Sequence, residues 1–172
     1  HIAILFRKLT QAEEYLEALR RHDIQYIIDG EKHFYRRQEV IDLVNLLRCI
    51  ENPHDRIALV GLLRSPVGGL PDSALVSLQE AQALDYREAG RLANWTSPHA
   101  QPLRRLYAVL ARLHDEAPRC PLPQVLDLVF QQLPLLELAA ASIHGEQAMA
   151  NLLKIRQMAA DLADRPALTL NG

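Results

Sequence analysis

Apolar residues recur at helical spacing along most of this chain, and this periodicity constrains the fold more than any other feature. The periodic stretches are residues 40–50, 54–64, 72–84, 101–116, 122–132 and 145–163. Proline or glycine punctuates most of the joins between them, and proline cannot continue a helix. The sequence therefore predicts a mainly α fold, a bundle-like arrangement of short helices.

The first 30 residues have a different character. Residues 2–6 form a continuous apolar run, which is typical of a strand buried on both faces. A capping box at residues 10–13 predicts a helix after it, residues 25–28 resemble a second strand, and Asp29-Gly30 is a turn signal. We expect a small α/β edge of β-α-β type here. Because the chain opens directly in an apolar run without Met, we interpret it as a piece of a longer protein.

Composition excludes several classes of protein. With 49% hydrophobic and 23% charged residues the chain is not disordered, and no apolar run approaches the roughly 18 residues of a membrane span. Cys49 and Cys120 suggest neither a disulfide framework nor a zinc site. The net charge of −2 means that any nucleic-acid contact needs a local basic cluster. The chain lacks phosphate-binding loops, HExxH and GxSxG, so we expect no self-contained active site.

Three ordered stretches carry a resemblance to a known family. They are residues 2–7 with 24–26, residues 30–43, and the set 52–55, 62–66 and 69–72. In this order and spacing they resemble the second half of UvrD-like superfamily 1 DNA helicases. The Arg64-Ser65-Pro66 form and the later stretch 145–154, GEQAMANLLK, are similar to the RecB/AddA helicase–nuclease branch.

The resemblance implies a domain arrangement. Such helicases have two RecA-like motor domains, with a helical subdomain inserted into the second. Residues 1–30 would be a partial RecA-like motor domain 2A, residues 31–165 the inserted helical 2B subdomain, and residues 166–172 the start of the return to the motor domain.

The resemblance also implies a function. The whole protein would be an ATP-dependent DNA helicase, in some forms a helicase–exonuclease of DNA repair or recombination, that translocates on DNA in the cytoplasm with ATP and Mg. Its partners would be single-stranded DNA, duplex junctions and a second subunit of a helicase–nuclease complex, with no membrane. This piece would hold no cofactor and would not hydrolyse ATP unaided. A helical protein–protein interaction module without nucleic-acid binding remains the alternative, and the missing site chemistry disfavours a free-standing enzyme.

Two residues match a family motif for nucleotide binding. The resemblance implies that Phe6 stacks on adenine and that Arg7, the catalytic candidate, reaches the γ-phosphate, which a planar guanidinium can bind through two hydrogen bonds. The family often has Tyr at the position of Phe6. From the residues alone, Phe6 as core and Arg7 as a surface charge remain open. No residue is assigned to a metal.

The DNA-binding candidates are Arg37, Arg64, Gly68 and Gly69. Arg37 belongs to a local basic cluster with Lys32 and Arg36, but many family members have another residue at position 36. The loop from Arg64 to Pro71 lies where related helicases have a glycine-containing hairpin that meets duplex DNA. Glycine lets backbone N–H groups approach phosphates closely. The plain alternative, a tight turn between helices, is equally open, and packing is favoured for Phe34.

Overall fold

The computed structural model describes residues 2–6, 12–22, 24, 26 and 34–163, and within these residues the backbone forms helices and loops with no strand. The helices are α1 (Ala12–Arg21), α2 (Gln38–Glu51), α3 (Arg56–Arg64), α4 (Asp72–Glu80), α5 (Ala100–Glu116), α6 (Leu122–Gln132), α7 (Leu135–Ala140) and α8 (Gly145–Ala163). Short 3₁₀ segments lie at Phe34–Arg36, Tyr86–Asn94 and Ala117–Arg119. The mainly α prediction is confirmed.

Helix α2 is the centre of the fold, because it packs against α3, α5 and α8. Within the periodic stretch 40–50, the side chain of Val44 is 45% exposed, whereas Leu46 and Cys49 are fully buried. A helix that contacts neighbours on several sides needs apolar residues beyond one stripe. Cys49 is thus a core residue.

Two tyrosine hydroxyls hydrogen-bond the 3₁₀ segment Tyr86–Asn94 and the residues just before it to α2 and α5. The Tyr86 hydroxyl donates to the carbonyl of Cys49 at 2.6 Å, and the Tyr107 hydroxyl donates to the carbonyl of Ala83 at 3.0 Å. Both rings are buried, and their centroids lie 6.4 Å apart. A buried phenol satisfies its hydroxyl in this way while its ring fills the core. This segment lies between the periodic stretches 72–84 and 101–116, so the sequence did not predict it.

The structure does not show the strand predicted at residues 2–6. Ile2 and Leu5 are 96% and 95% exposed, and no described residue offers a strand that could pair with them. A strand of a parallel sheet is held by its neighbours, so an isolated run has no ladder to join. Ile24 and Tyr26 are not in a strand either, and the rest of 25–30 lies outside the described residues. The RecA-like edge, like the domain boundaries, stays a prediction.

Most of the remaining helix predictions agree with the structure, but the helix predicted at 72–84 ends earlier, at Glu80. The stretches predicted at 101–116, 122–132 and 145–163 form α5, α6 and α8. Helix α7, which begins after Pro134, was not predicted because six residues are too few to establish a helical period. It packs against α8 and completes the side of the bundle formed by α6 and α8. Residues 166–172 lie outside the described residues.

Candidate nucleic-acid interface

Helices α2 and α3 form a hairpin that brings the end of α3 beside the start of α2. Asp55 caps α3 by accepting from the Ala58 N–H at 2.9 Å, and it binds Arg48 Nη2 of α2 at 2.7 Å. The Ala58 N–H and the Arg48 guanidinium hold the pKa of Asp55 below its usual range. Because the hairpin is fixed at this turn, Arg64 at the end of α3 returns to the level of Gln38.

A groove of about 470 Å³ lies between these two helix ends. Five of its lining residues belong to two stretches that carry the family resemblance, Gln38 and Asp42 to residues 30–43 and Arg64, Ser65 and Pro66 to residues 62–66. Asn45 and Gly61 complete the lining. Asp42 Oδ1 accepts from Gln38 Nε2 at 2.8 Å, and burial raises the pKa of Asp42. The fold thus gives these separate motif stretches one shared surface.

Beyond α3 the chain makes a tight turn through Ser65 and the two glycines. The carbonyl of Ser65 accepts from the N–H of Gly68 at 3.1 Å and of Gly69 at 2.8 Å, and Leu70 N–H donates to the Leu63 carbonyl at 2.9 Å. A Cβ on Gly68 would clash with Leu63 Cα, and Gly69 has φ of +61°. Both glycines are therefore required by the turn itself.

The hydrogen bonds of this turn bear on the predicted contact with DNA. The two glycine N–H groups that were expected to approach phosphates already donate to the Ser65 carbonyl. Arg64 instead offers an exposed cation, paired with Asp72 at 3.1 Å between Nε and Oδ1. The two side chains are 60% and 74% exposed. Exposed pairs of this kind contribute about 0–1 kcal/mol, so a phosphate can compete with Asp72 for Arg64.

Helix α8 contacts the same end of α2 through a buried polar pair. Asn151 is only 3% exposed, and its Nδ2 donates to Glu39 Oε1 at 2.6 Å. Its Oδ1 accepts from Gln147 Nε2 at 3.0 Å. One turn further along α8, Lys154 Nζ lies 5.4 Å from the ring centroid of Phe34. The Gly145–Ala163 helix thus presents a motif stretch directly to the start of α2.

We call the four cations gathered here the basic end: Arg36, Arg37, Arg64 and Lys154. Arg37 has an extended backbone (φ −68°, ψ 138°) and is the N-cap residue of α2. Sequence reasoning selected Arg37 and Arg64 but assigned no role to Asn151 or Lys154, although both belong to the quoted stretch 145–154. The signal that could have found them was polar residues beside the apolar stripe of a helix.

The nucleotide-binding candidates are only partly described. Phe6 is half-buried, and its ring packs edge-to-face on Tyr15 of α1 with centroids 5.1 Å apart. Arg7 lies outside the described residues, so its proposed role at a γ-phosphate stays a prediction. Across the described part of the chain, no three His, Cys, Asp or Glu side chains are grouped to hold a metal ion. No described helix is long and apolar enough to cross a membrane.

Comparison with known proteins gives a consistent result. The chain is 27% identical over 154 residues to an ATP-dependent helicase/nuclease subunit of Listeria innocua, and 30% identical over 136 residues to that of Oenococcus oeni. The alignments cover 88% and 77% of this chain, but the chain spans only 12% of each relative's length. The family described as UvrD-like helicase C-terminal domain matches residues 1–127. This match covers most of the chain, which therefore belongs to the UvrD-like helicase C-terminal domain family.

Proposed function

We propose that this chain is a segment of an ATP-dependent DNA helicase of the helicase–nuclease type, and that its helical part guides DNA along the basic end. The observation that carries the proposal is that Arg64 lines the groove with Gln38 and Lys154 lies over the Phe34 ring, which places both cations beside the start of α2 in a chain whose net charge is −2. Without a global positive field, phosphate binding needs such a local concentration of cations. The relatives are named as ATP-dependent helicase/nuclease proteins, which supports the same activity.

The Arg64–Asp72 pair provides the sharpest test, because each partner can be changed separately. Arg64→Gln should weaken binding of the 172-residue chain to forked DNA and reduce the salt dependence of the affinity by about one phosphate contact. Asp72→Asn should strengthen binding, because it removes a carboxylate that competes for the guanidinium. Fluorescence anisotropy at two salt concentrations measures both effects.

A second exposed ion pair supplies matched controls. Arg87 Nη1 lies 2.8 Å from Asp115 Oδ1. The neighbouring Tyr86 donates a hydrogen bond to the carbonyl of Cys49, so this ion pair lies near the opposite end of α2. Arg87→Gln and Asp115→Asn make the same charge changes as the test variants, but away from the basic end. If the Arg87 and Arg64 variants weaken binding equally, net charge alone explains the interaction. If the unchanged chain shows no binding at low salt, the DNA-guiding role is refuted.

In the whole protein we assign ATP sensing to Phe6 and Arg7, with ATP and Mg held largely by other segments. This assignment rests on the match of the two residues to the family motif. In the full-length enzyme, Arg7→Ala should lower ATP turnover sharply while the protein stays folded. Unchanged turnover would remove Arg7 from the mechanism. The whole protein would then translocate and unwind DNA by coupling hydrolysis to movement between its motor domains.

A protein-interaction role is the second candidate, and one observation favours it. Ile41 and Val44 on α2 and Leu153 on α8 leave apolar surface exposed on helices that pack together. The relatives are named as subunits, which fits a protein partner. Contact through such a surface would be insensitive to salt, unlike binding to phosphates. Val44→Asp should abolish association with that partner protein and leave DNA affinity close to that of the unchanged chain.

A further inference from the structure

Tyr35 is a large aromatic side chain that the fold turns outward. Phe34, its neighbour in the 3₁₀ segment Phe34–Arg36, is 8% exposed, whereas Tyr35 is 70% exposed. The two rings lie 5.1 Å apart at 79°. Since the ring planes are nearly perpendicular, Phe34 can cover no more than one face of Tyr35. A flat π-face of Tyr35 is therefore open to solvent.

The backbone that carries the Tyr35 ring is held in place by its neighbours. Phe34 is buried beneath the Lys154 ammonium group, and its carbonyl accepts from the Arg37 N–H at 3.1 Å. The segment leads directly into α2, which is held by the rest of the core. An aromatic surface that is already ordered loses less conformational entropy when a ligand stacks on it.

The surroundings of Tyr35 identify the class of ligand. Arg36 follows it and is exposed, and Arg64 lies across the groove that begins at Gln38. Exposed aromatic faces flanked by cations bind unpaired nucleic-acid bases, with the ring stacking on the base and the cations contacting the phosphates. A duplex base is already stacked on its neighbours, so the ligand must have an unpaired base.

We propose that Tyr35 is a stacking platform for a base of single-stranded DNA, with Arg36 contacting the adjoining phosphate. This inference rests on the proposed DNA-guiding function. It adds Tyr35 as a residue that contacts a base of the DNA, whereas the cations contact the phosphate backbone. Stacking contributes to affinity through the base, whereas the cations contribute through the phosphates. The two contributions can therefore be separated by removing the bases.

The test uses the 172-residue chain with two fluorescent probes of equal length, oligo(dT) and an abasic oligonucleotide with the same phosphates. Tyr35→Ala should weaken oligo(dT) binding about 10-fold, leave abasic binding unchanged and preserve the salt slope. Tyr35→Phe keeps the ring and should bind within about twofold of the unchanged chain. Arg36→Gln should weaken both probes and lower the salt slope by about one contact. Ile57→Ala, at a side chain 81% exposed at the start of α3, is the control for a surface truncation.

The outcomes separate this inference from the proposed function. If Tyr35→Ala has no effect, or weakens both probes equally, the stacking role is overturned while an Arg64→Gln effect still supports DNA guiding. If the unchanged chain binds neither probe at low salt, the DNA-guiding function itself fails. An oligonucleotide carrying 5-iodouracil gives an independent readout, because irradiation should cross-link it to Tyr35. Cross-linking elsewhere with none at Tyr35 would also overturn the inference.

Discussion

Replacing Gly68 by alanine should destabilise the chain more than the same change at the other glycine of the Ser65–Leu70 turn. The new Cβ would clash with Leu63 Cα and would lie 2.5 Å from the Leu63 carbonyl oxygen, both of them backbone atoms. Rotation of a side chain cannot relieve this contact. The turn would have to move by about 1 Å to restore ordinary van der Waals separation.

A movement of this size breaks hydrogen bonds of the turn. The N–H of Gly68 donates to the Ser65 carbonyl at 3.1 Å and that of Leu70 donates to the Leu63 carbonyl at 2.9 Å. Both distances lie within the ordinary range, and a shift of about 1 Å would take either bond beyond it. Losing one or two such bonds costs about 1 kcal/mol each, and overpacking strain adds about 1–3 kcal/mol. We therefore expect Gly68→Ala to lower the free energy of unfolding by about 2–5 kcal/mol.

Alanine substitutions at Gly69 and Gly90 provide reference values for the stability measurement. Gly69→Ala adds no clash but places alanine at φ +61°, which costs about 1–2 kcal/mol. Gly90 has open space around it and no positive φ, so Gly90→Ala should change stability by less than about 0.5 kcal/mol. Urea unfolding followed by circular dichroism should give the order Gly68, Gly69, Gly90 at a constant m value.

The result that would refute this reasoning is a Gly68→Ala chain as stable as Gly90→Ala. If that stable variant also lost affinity for DNA, Gly68 would serve as a phosphate contact and the close approach to Leu63 would have no energetic importance. A loss of stability in the expected range would show that Gly68 is required by packing.

Three further predictions follow from buried groups. Asn151→Ala should lower the free energy of unfolding by about 1–3 kcal/mol, because it leaves the Glu39 carboxylate without its buried amide donor. A decrease below about 0.5 kcal/mol in urea unfolding would contradict this. Burial raises the pKa of Asp42, so ionising Asp42 at neutral pH costs stability. Asp42→Asn should therefore stabilise the chain at pH 7, and the gain should shrink as the pH falls toward 3.8; a gain independent of pH would exclude this explanation. Burial raises the pKa of Cys49 to about 12, so a thiol reagent at pH 8 should label half-buried Cys120 first and Cys49 only on unfolding; equal labelling rates would contradict the structure.

Most of the helix boundaries could be predicted from the sequence, because the signals that begin and end a helix are local. Pro121 precedes α6, and Asp55 caps α3 with its own side chain. The resemblance stretches also identified Arg64 before the structure placed it in one groove with Gln38. These signals depend on residues a few positions apart, so they can be read without knowing the fold.

Other features depend on contacts that local patterns do not encode. Phe34 and Tyr35 are adjacent aromatics, yet Phe34 is buried beneath Lys154 of α8 and Tyr35 is exposed. Asn151 reaches Glu39 across 112 positions of sequence. The N–H groups of Gly68 and Gly69, which were predicted to approach phosphates, donate in the structure to the Ser65 carbonyl.

At residues 2–6 a local pattern predicted an element that the structure does not show. Its composition predicts a strand, but β structure requires hydrogen bonds to a neighbouring strand, and the described residues contain none. A helix satisfies its backbone within its own segment, so a periodic sequence is enough to predict it. The sequence therefore determined the helices and the family, while tertiary packing decided which side chains form the basic end and which ring is open to a ligand.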